Sequence, residues 1–394
     1  MKYIGLFIAD LHIGDIPLSQ LRYEITEILY PYIERTKPDF IIFGGDYFGH
    51  KMYVNDPNAS FAWEVLHTID RILPEDSKIR MVYGTKSHDE DQYDSFEILK
   101  DHRDFRVIKH VTKEELFPGM YVLYLPEEML TDPEDYYKEF FEGEESFSFI
   151  FGHGIIKEMM PKAASVIEDK KNVKRRVPVF RSGDLERICS GLTLFGHYHI
   201  HQIIGDRVMY AGSFSRWKFG EEEPKGFLEI TFDPDEEECD YTFIENTCAE
   251  KYITIGFGYK DTIFSSLDEM QKKMDTFEKL AGTNNFDHLK LEFNIPETCE
   301  NPEFYIEYLR ERFKRSSHIK TNIINGYIAK KHEEAKKEVD ADYEKYAPIF
   351  DPNTSIEDQV SYFIDVEYHR PISSQTAALY MYHDLNEILA QEQE

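Results

Sequence analysis

Through its first 230 residues the chain alternates short apolar runs with stretches of helical period, and the runs stop at acids, glycines or histidines. Lys2–Ala9 reads as a buried strand that delivers Asp10-Leu11-His12 at its end. From about Pro17 to Arg35, Leu21, Ile25, Ile28 and Leu29 recur on one helical face. Asp39–Phe43 is a second strand, closing on Gly44-Gly45-Asp46. A helix over Ser60–Leu73, with Phe61, Val65, Leu66 and Ile69 inward, precedes a third strand, Ile79–Tyr83, which runs into Gly84-Thr85-Lys86-Ser87-His88-Asp89. Alternating segments follow at Phe105–Ile108 and Met120–Leu125, then an acidic loop to about Glu145. Phe147–Phe151 ends at Gly152-His153-Gly154, and Leu192–Leu194 runs out into Phe195-Gly196-His197-Tyr198-His199-Ile200-His201. Strand, helix, strand, with acids at the carboxyl ends of the strands, predicts an α/β fold whose sites sit at strand termini.

Further on, Gln202–Ile204 and Arg207–Tyr210 read as a hairpin turned by Gly205-Asp206, and Lys225–Ile230 as a closing strand. The mostly acidic run Asp233–Asp240 marks the first expected boundary and gives a first domain of residues 1–235. Residues 250–330 repeat strand–helix–strand–helix–strand (Tyr252–Phe257, Ser265–Leu280, Leu289–Ile295, Glu303–Phe313, Ile319–Tyr327), a small α+β module without catalytic clusters. Residues 331–394 hold the rest of a charged linker, Lys330–Lys345, and two helical pieces, Ser355–Tyr368 and Ser374–Gln391. Their apolar faces suit either docking on the parent domain or binding a partner.

Composition narrows this picture. At 394 residues, 41% of them hydrophobic, the chain is long enough for two or three domains. Its four cysteines (Cys189, Cys239, Cys248, Cys299) form no CxxC pair, which speaks for a reducing compartment and against zinc–thiolate chemistry. The first strand meets an acid at once and no run of 18 apolar residues occurs, so a soluble protein is expected, with neither signal peptide nor membrane span. A net charge of −30 argues against coating nucleic acid with the whole surface, yet leaves room for metal ions and local cations to handle phosphate. Residues 157–187 reverse the sign locally, with nine basic residues against five acidic. That segment is either a solvated loop or a basic rim that positions a polyanion.

Five strand ends present metal-ligand side chains: Asp10/His12, Asp46, Ser87/His88, His153 and His197/His199. A lone histidine at a strand end is more often structural, but five ligand-bearing ends are hard to assign to chance. Asp10 and His12 are two residues apart, as are His197 and His199, so extended backbone turns each pair to one side. Carboxylate and imidazole without thiolate suit Mn, Fe or Zn better than calcium. One carboxylate such as Asp46 can bridge two ions that clamp a phosphoryl group and activate water.

In this order, Asp-x-His, Gly-Gly-Asp, His-Asp, Gly-His and Gly-His-x-His resemble the motifs of calcineurin-like metallophosphoesterases over residues 1–230. With Tyr210-Ala211-Gly212-Ser213 and Lys225-Gly226-Phe227, the chain more narrowly resembles the SbcD family, the nuclease subunits of bacterial and phage SbcC–SbcD recombination complexes. The resemblance implies a two-sheet αββα metallophosphoesterase core, a small α+β DNA-capping domain and a helical C-terminal tail. It implies two divalent ions, Mn2+ ahead of Mg2+, with Asp10, His12 and His199 on the first, Asp46 bridging, and His153 and His197 on the second. His88 is the implied catalytic histidine, and Asp89 the residue that orients its imidazole. Where the family has a ligating asparagine, Ser87 stands, a shorter and weaker donor, so that water fills the position or the second ion binds less tightly. Asp15, His50 and His201 adjoin the motifs as supporting or structural groups.

These implications point to a cytoplasmic, metal-dependent DNA exonuclease, with endonuclease action as a further option, serving repair or recombination in a bacterial cell or phage-infected host. The implied partners are DNA, an SbcC-like coiled-coil ATPase held through the C-terminal helices, and a second copy of the chain. Two other readings use the same residues. One is a metallophosphoesterase for a phosphomonoester, cyclic nucleotide or phosphoprotein; the other is a binding subunit that keeps the scaffold without the activity.

Overall fold

The computed structural model describes residues 2–256 apart from 54, 90, 144–145, 160–176 and 237, together with 287–295, 319–325 and positions 272, 275 and 311. The chain divides into two compact units, the first of which runs without a break to Ile255. That unit is mixed α/β with two six-stranded, mostly parallel sheets. In one sheet β1 (Tyr3–Ile8), β2 (Phe40–Gly44), β3 (Lys78–Val82) and β4 (Phe105–Ile108) are parallel, and the hairpin β13 (Gly226–Asp233) and β14 (Glu238–Glu245) pairs antiparallel to β1. In the other, β6 (Met120–Leu125), β7 (Phe147–His153), β10 (Cys189–Gly196) and β12 (Val208–Tyr210) are parallel, edged by antiparallel β5 (Thr112–Phe117) and β11 (Gln202–Ile204). β8 (Ile155–Ile156) and β9 (Val179–Phe180) add a short parallel ladder.

Period-two alternation along these strands sorts the layers. Phe7, Phe40, Ile42 and Val82 of the first sheet share a core with Val122, Tyr124, Phe149, Phe151 and Leu194 of the second. Their chain neighbours Leu6, Ile8, Ile41 and Phe43 face away, onto Leu21, Ile25, Leu29, Phe61 and Val65 of the helices. On the other side Leu123, Leu125, Ile150 and Phe195 meet the helical residues Tyr137, Leu185 and Ile188. Helix, sheet, sheet, helix is the resulting order. It explains why the central strands read as unbroken apolar runs: both faces are covered.

The helix expected from Pro17 is present as α1 (Leu18–Glu24) and α2 (Tyr30–Thr36), joined by a π-helical turn, Ile25–Leu29. α3 (Pro57–Ile72) begins three residues before the expected Ser60, because Asp56 accepts the Asn58 N–H as its cap and Pro57 suits the first turn. α4 is the single turn Lys86–Asp89. Part of the acidic loop expected up to Glu145 is a helix, α5 (Pro133–Glu142), capped by Asp132 and anchored where Tyr137 packs 5.1 Å from Phe180. α6 spans Ser182–Ile188.

The run Asp233–Asp240 is the turn and first residues of the β13–β14 hairpin, not a boundary. β14 alternates half-buried Cys239, Tyr241 and Phe243, which pack on the inter-sheet core, with exposed Asp240 and Thr242. The sheet therefore extends past residue 235. β15 (Tyr252–Gly256), β16 (His288–Ile295) and β17 (Ile319–Asn325) form a three-stranded sheet in that order, where strands of the 250–330 module are expected. The two helices expected between them lie outside the described residues except for helical Lys272, Asp275 and Glu311. So do the linker and tail of 331–394 and the basic residues between Lys162 and Arg176. Among the described residues no helix is long and apolar enough to cross a membrane.

One buried charge ties the two sheets together. Arg80 on β3 is fully buried on the strand face that also carries Val82. Its guanidinium donates to both oxygens of Glu114 on β5, at 2.9 and 2.7 Å, and Nη2 lies 2.9 Å from Asp104. The Tyr124 hydroxyl donates to the same carboxylate at 3.0 Å. Burial opposes the charge on Glu114, but Arg80 overcomes it and holds the carboxyl below its ordinary value of 4.5. Removing the guanidinium would leave that carboxylate buried and unpaired. Arg80→Ala is therefore expected to cost about 3–5 kcal/mol in urea unfolding. Because Glu114 binds protons more weakly in the folded chain, its contribution is present above pH 4.5 and is lost as pH falls below it. The variant should show a flatter acid limb than the wild type.

Candidate metal centre

The carboxyl ends of the parallel strands bring their polar side chains into one connected cluster. Asp10 and His12 follow β1, Asp46 follows β2, Thr85 and His88 follow β3, Glu127 follows β6, His153 closes β7, and His197 and His199 follow β10. Donor atoms lie within 4.8 Å of one another in each of four overlapping groups: Asp10/His12/His199, His12/Asp46/His88, Asp10/Asp46/His153 and Glu127/His153/His197. His197 and His199, expected on one side of an extended strand, instead occupy different groups because the backbone leaves β10 at Gly196 and His197 takes a φ of 105°. Asp10, His12 and Asp46 also have positive φ, at 52°, 46° and 48°. Such conformations cost a non-glycine residue roughly 1–3 kcal/mol and gather at functional sites. Here four of the five among the described residues belong to the cluster.

Asp46 is at the centre. Its Oδ1 accepts the Thr85 N–H at 2.6 Å and lies 3.4 Å from His153 Nε2. Its Oδ2 accepts the Thr85 hydroxyl at 3.2 Å, is 2.9 Å from His88 Nδ1 and lies 3.7 Å from His12 Nε2. Burial alone would raise this carboxyl; the charges of His153 and His12 and the bond from His88 outweigh it and hold the pKa well below the carboxylate range. Gly84 makes the approach possible, since a Cβ there would come within 2.2 Å of Asp46 N.

Three histidines are oriented through Nδ1 so that Nε2 faces the cluster. His153 Nδ1 donates to the Gly44 carbonyl at 2.8 Å, His199 Nδ1 pairs with Glu221 at 2.8 Å, and His12 Nδ1 lies 3.3 Å from Asp15. The bond from His12, against partial burial and with help from His50, holds the Asp15 carboxyl down at about 2. Lys225, buried, donates to the carbonyl of His199 and lies 3.9 Å from Glu221. The ring of Trp217 packs 4.6 Å from both His12 and His199. Asp15 thus supports a candidate ligand and His50 supports Asp15, at 3.1 Å, while His201 stacks on Phe243 and bonds to the Tyr210 carbonyl.

Two expected roles are corrected. Ser87 is not the residue that faces Asp46: it is exposed on α4, whereas Thr85, immediately after Gly84, turns its hydroxyl between Asp46 and His153 Nε2 (3.5 Å). The helical turn of α4 carries the Ser87 side chain to the exposed face and away from Asp46. Asp89 holds backbone rather than the His88 imidazole. Its oxygens accept the amides of Gly84, Asp46 and Phe48 at 2.8, 3.0 and 3.2 Å, and burial and the Asp46 charge push it up to about 7. The imidazole of His88 is held by Asp46 itself. Thr85, Glu127, Trp217 and Glu221 were not expected as site residues. Thr85 has a signal in its place next to Gly84; Glu127 and Glu221 have none among the 75 acidic residues of the chain.

The donor set fits a divalent cation. His12 Nε2 and Glu127 Oε2 are buried and have no hydrogen-bond partner. A buried imidazole nitrogen and a carboxylate oxygen left in this state cost about 1–3 kcal/mol or more each, unless another group satisfies them. Both are metal-ligand atoms, and both face further ligand atoms. These buried His/Asp/Glu groups can therefore hold a metal ion. Mn2+ added to the protein should quench Trp217 fluorescence saturably in the wild type and in Trp63→Phe, but not in Trp217→Phe. Asp15→Ala should raise the midpoint ~10–100-fold, because the support of a ligating histidine is lost.

Compared with protein-family models the chain matches none, and compared with curated proteins it likewise matches none.

Proposed function

We propose that the chain is a metal-dependent phosphodiesterase that cuts DNA, with a calcineurin-like metallophosphoesterase core acting in a complex of the SbcC–SbcD kind. The observation that carries this reading is the Asp46 carboxylate, which joins two groups of ligand atoms, Asp10/His12/His199 and His153 with His197. Two divalent ions bound there, Mn2+ or Mg2+, would polarise a phosphoryl oxygen and lower the pKa of water. The residues around them divide the remaining work. Asp10, His12 and His199 would hold the first ion and His153 and His197 the second, with Asp46 between.

His88 is suited to act on the leaving oxygen. Asp46 holds its Nδ1, leaving Nε2 for a substrate, and the ring is about a quarter exposed (27%). The bond to Asp46, against partial burial, raises its pKa above 6.5. Gln92 fixes the turn by donating to the His88 carbonyl at 2.6 Å.

DNA is favoured over other phosphate esters by the order of motifs through Lys225-Gly226-Phe227 and by the strands added beyond residue 250. On this reading residues 250–330 cap DNA, residues 331–394 bind a coiled-coil ATPase, and a second copy completes a dimer in the cytoplasm of a bacterial cell or phage-infected host.

Linear double- and single-stranded DNA with Mn2+ or Mg2+, beside bis-p-nitrophenyl phosphate, tests this. The wild type should cut DNA, and His88→Ala should lose about 10²–10⁴-fold in rate. Cleavage of the small diester with DNA intact, with and without an ATPase partner, would move the substrate to another phosphate ester. No cleavage of either would overturn the proposal.

A further inference from the structure

We infer that Glu127 is a direct carboxylate ligand of the second ion, completing a site in which His153 and His197 supply imidazole, Asp46 a shared carboxylate and Thr85 only a neutral hydroxyl. The inference rests on the cluster being a metal-dependent phosphoesterase site, and it adds a residue that the sequence motifs do not contain.

The placement of Glu127 is built into the fold. It follows Pro126 at the end of β6, and its N–H donates to the Tyr83 carbonyl at 3.1 Å, one residue before Gly84-Thr85. The residue is 5% exposed. Its Oε2 lies 3.2 Å from His197 Nδ1 and 4.0 Å from His153 Nε2, yet takes part in no hydrogen bond. Donors that share one ion at ~2.1 Å can be up to ~4.2 Å apart, and both separations fall within that span.

The ordinary roles of a glutamate do not account for this. A solvated acid would be exposed, and an acceptor that merely orients His197 would be hydrogen-bonded to it. The next residue shows the ordinary case: Glu128 accepts the Val111 N–H at 2.8 Å and pairs with His110 at 2.7 Å. Glu127 has an oxygen with no such use, aimed at two imidazoles. A buried carboxylate is retained when a cation compensates it.

A second carboxylate adds a negative charge to the site. Oxygen-rich donors then favour Mn2+ or Mg2+ over softer ions, and the affinity rises with each charge that faces the ion.

Calorimetric titration of the full chain with Mn2+, without substrate, tests the assignment. The wild type should bind two ions. Glu127→Gln, which keeps the shape and removes the charge, should leave one at wild-type affinity and weaken the other about tenfold or more. His12→Ala should weaken the opposite one. Glu127→Gln titrating like the wild type would overturn the inference. So would a Mn2+-soaked crystal of the wild type with no Glu127 oxygen bonded to either ion, a result that needs no variant to fold. A wild type that binds no Mn2+ would instead sink the phosphoesterase reading, and this inference with it.

Discussion

The carboxylate of Asp46 is the charge around which the ends of both sheets are arranged. It arrives from β2 of one sheet and meets His153 from β7 of the other, while Thr85 and His88 reach it from the loop after β3. Low local dielectric strengthens each of these interactions and makes any unpaired member expensive. The same setting explains the shifts in opposite directions: Asp46 is held far below the carboxylate range, and His153 is raised because that charge outweighs the cost of its burial.

The fold supplies this convergence through alternation and stacking. Apolar residues on both faces of the strands force a four-layer arrangement, and parallel strands then carry their carboxyl ends to a common edge. Arg80 and Glu114 fix one sheet against the other away from that edge. Asp89 has a similar task within the centre, where it binds the backbone of the Asp46 and Gly84 loops together. The positive φ angles of Asp10, His12 and Asp46 are tolerated because such bonds over-determine the backbone: Asp10 N–H donates to Gly45, and His12 N–H to Asp46.

Much of this was legible in the sequence. Runs such as Phe40–Phe43 and Phe147–Phe151 read as covered strands, and the acids and histidines that end them then lie at the strand termini. That logic located Asp10, His12, Asp46, His88, His153, His197 and His199. It failed where local conformation intervenes. The resemblance puts Ser87 in the place of a ligand, but α4 turns it outward and leaves Thr85 facing Asp46. Asp89 looked like the partner of its neighbour's imidazole, yet in a helical turn successive side chains diverge, and it reaches backbone instead. Glu127 could not be told from its neighbour Glu128, since only tertiary packing separates an acid with an unpartnered buried oxygen from one whose oxygens are hydrogen-bonded. The acidic turn before β14 misled for the same reason: charge marks solvent, and a hairpin turn meets solvent as surely as a linker does.

Manganese content after loading and desalting, measured for the wild type and Asp46→Asn, tests the central claim that this carboxylate joins two ion sites. The account predicts about two ions per wild-type chain, the number a bridging centre holds, and fewer than about one in the variant. Equal manganese in the two proteins, or none in the wild type, would contradict it.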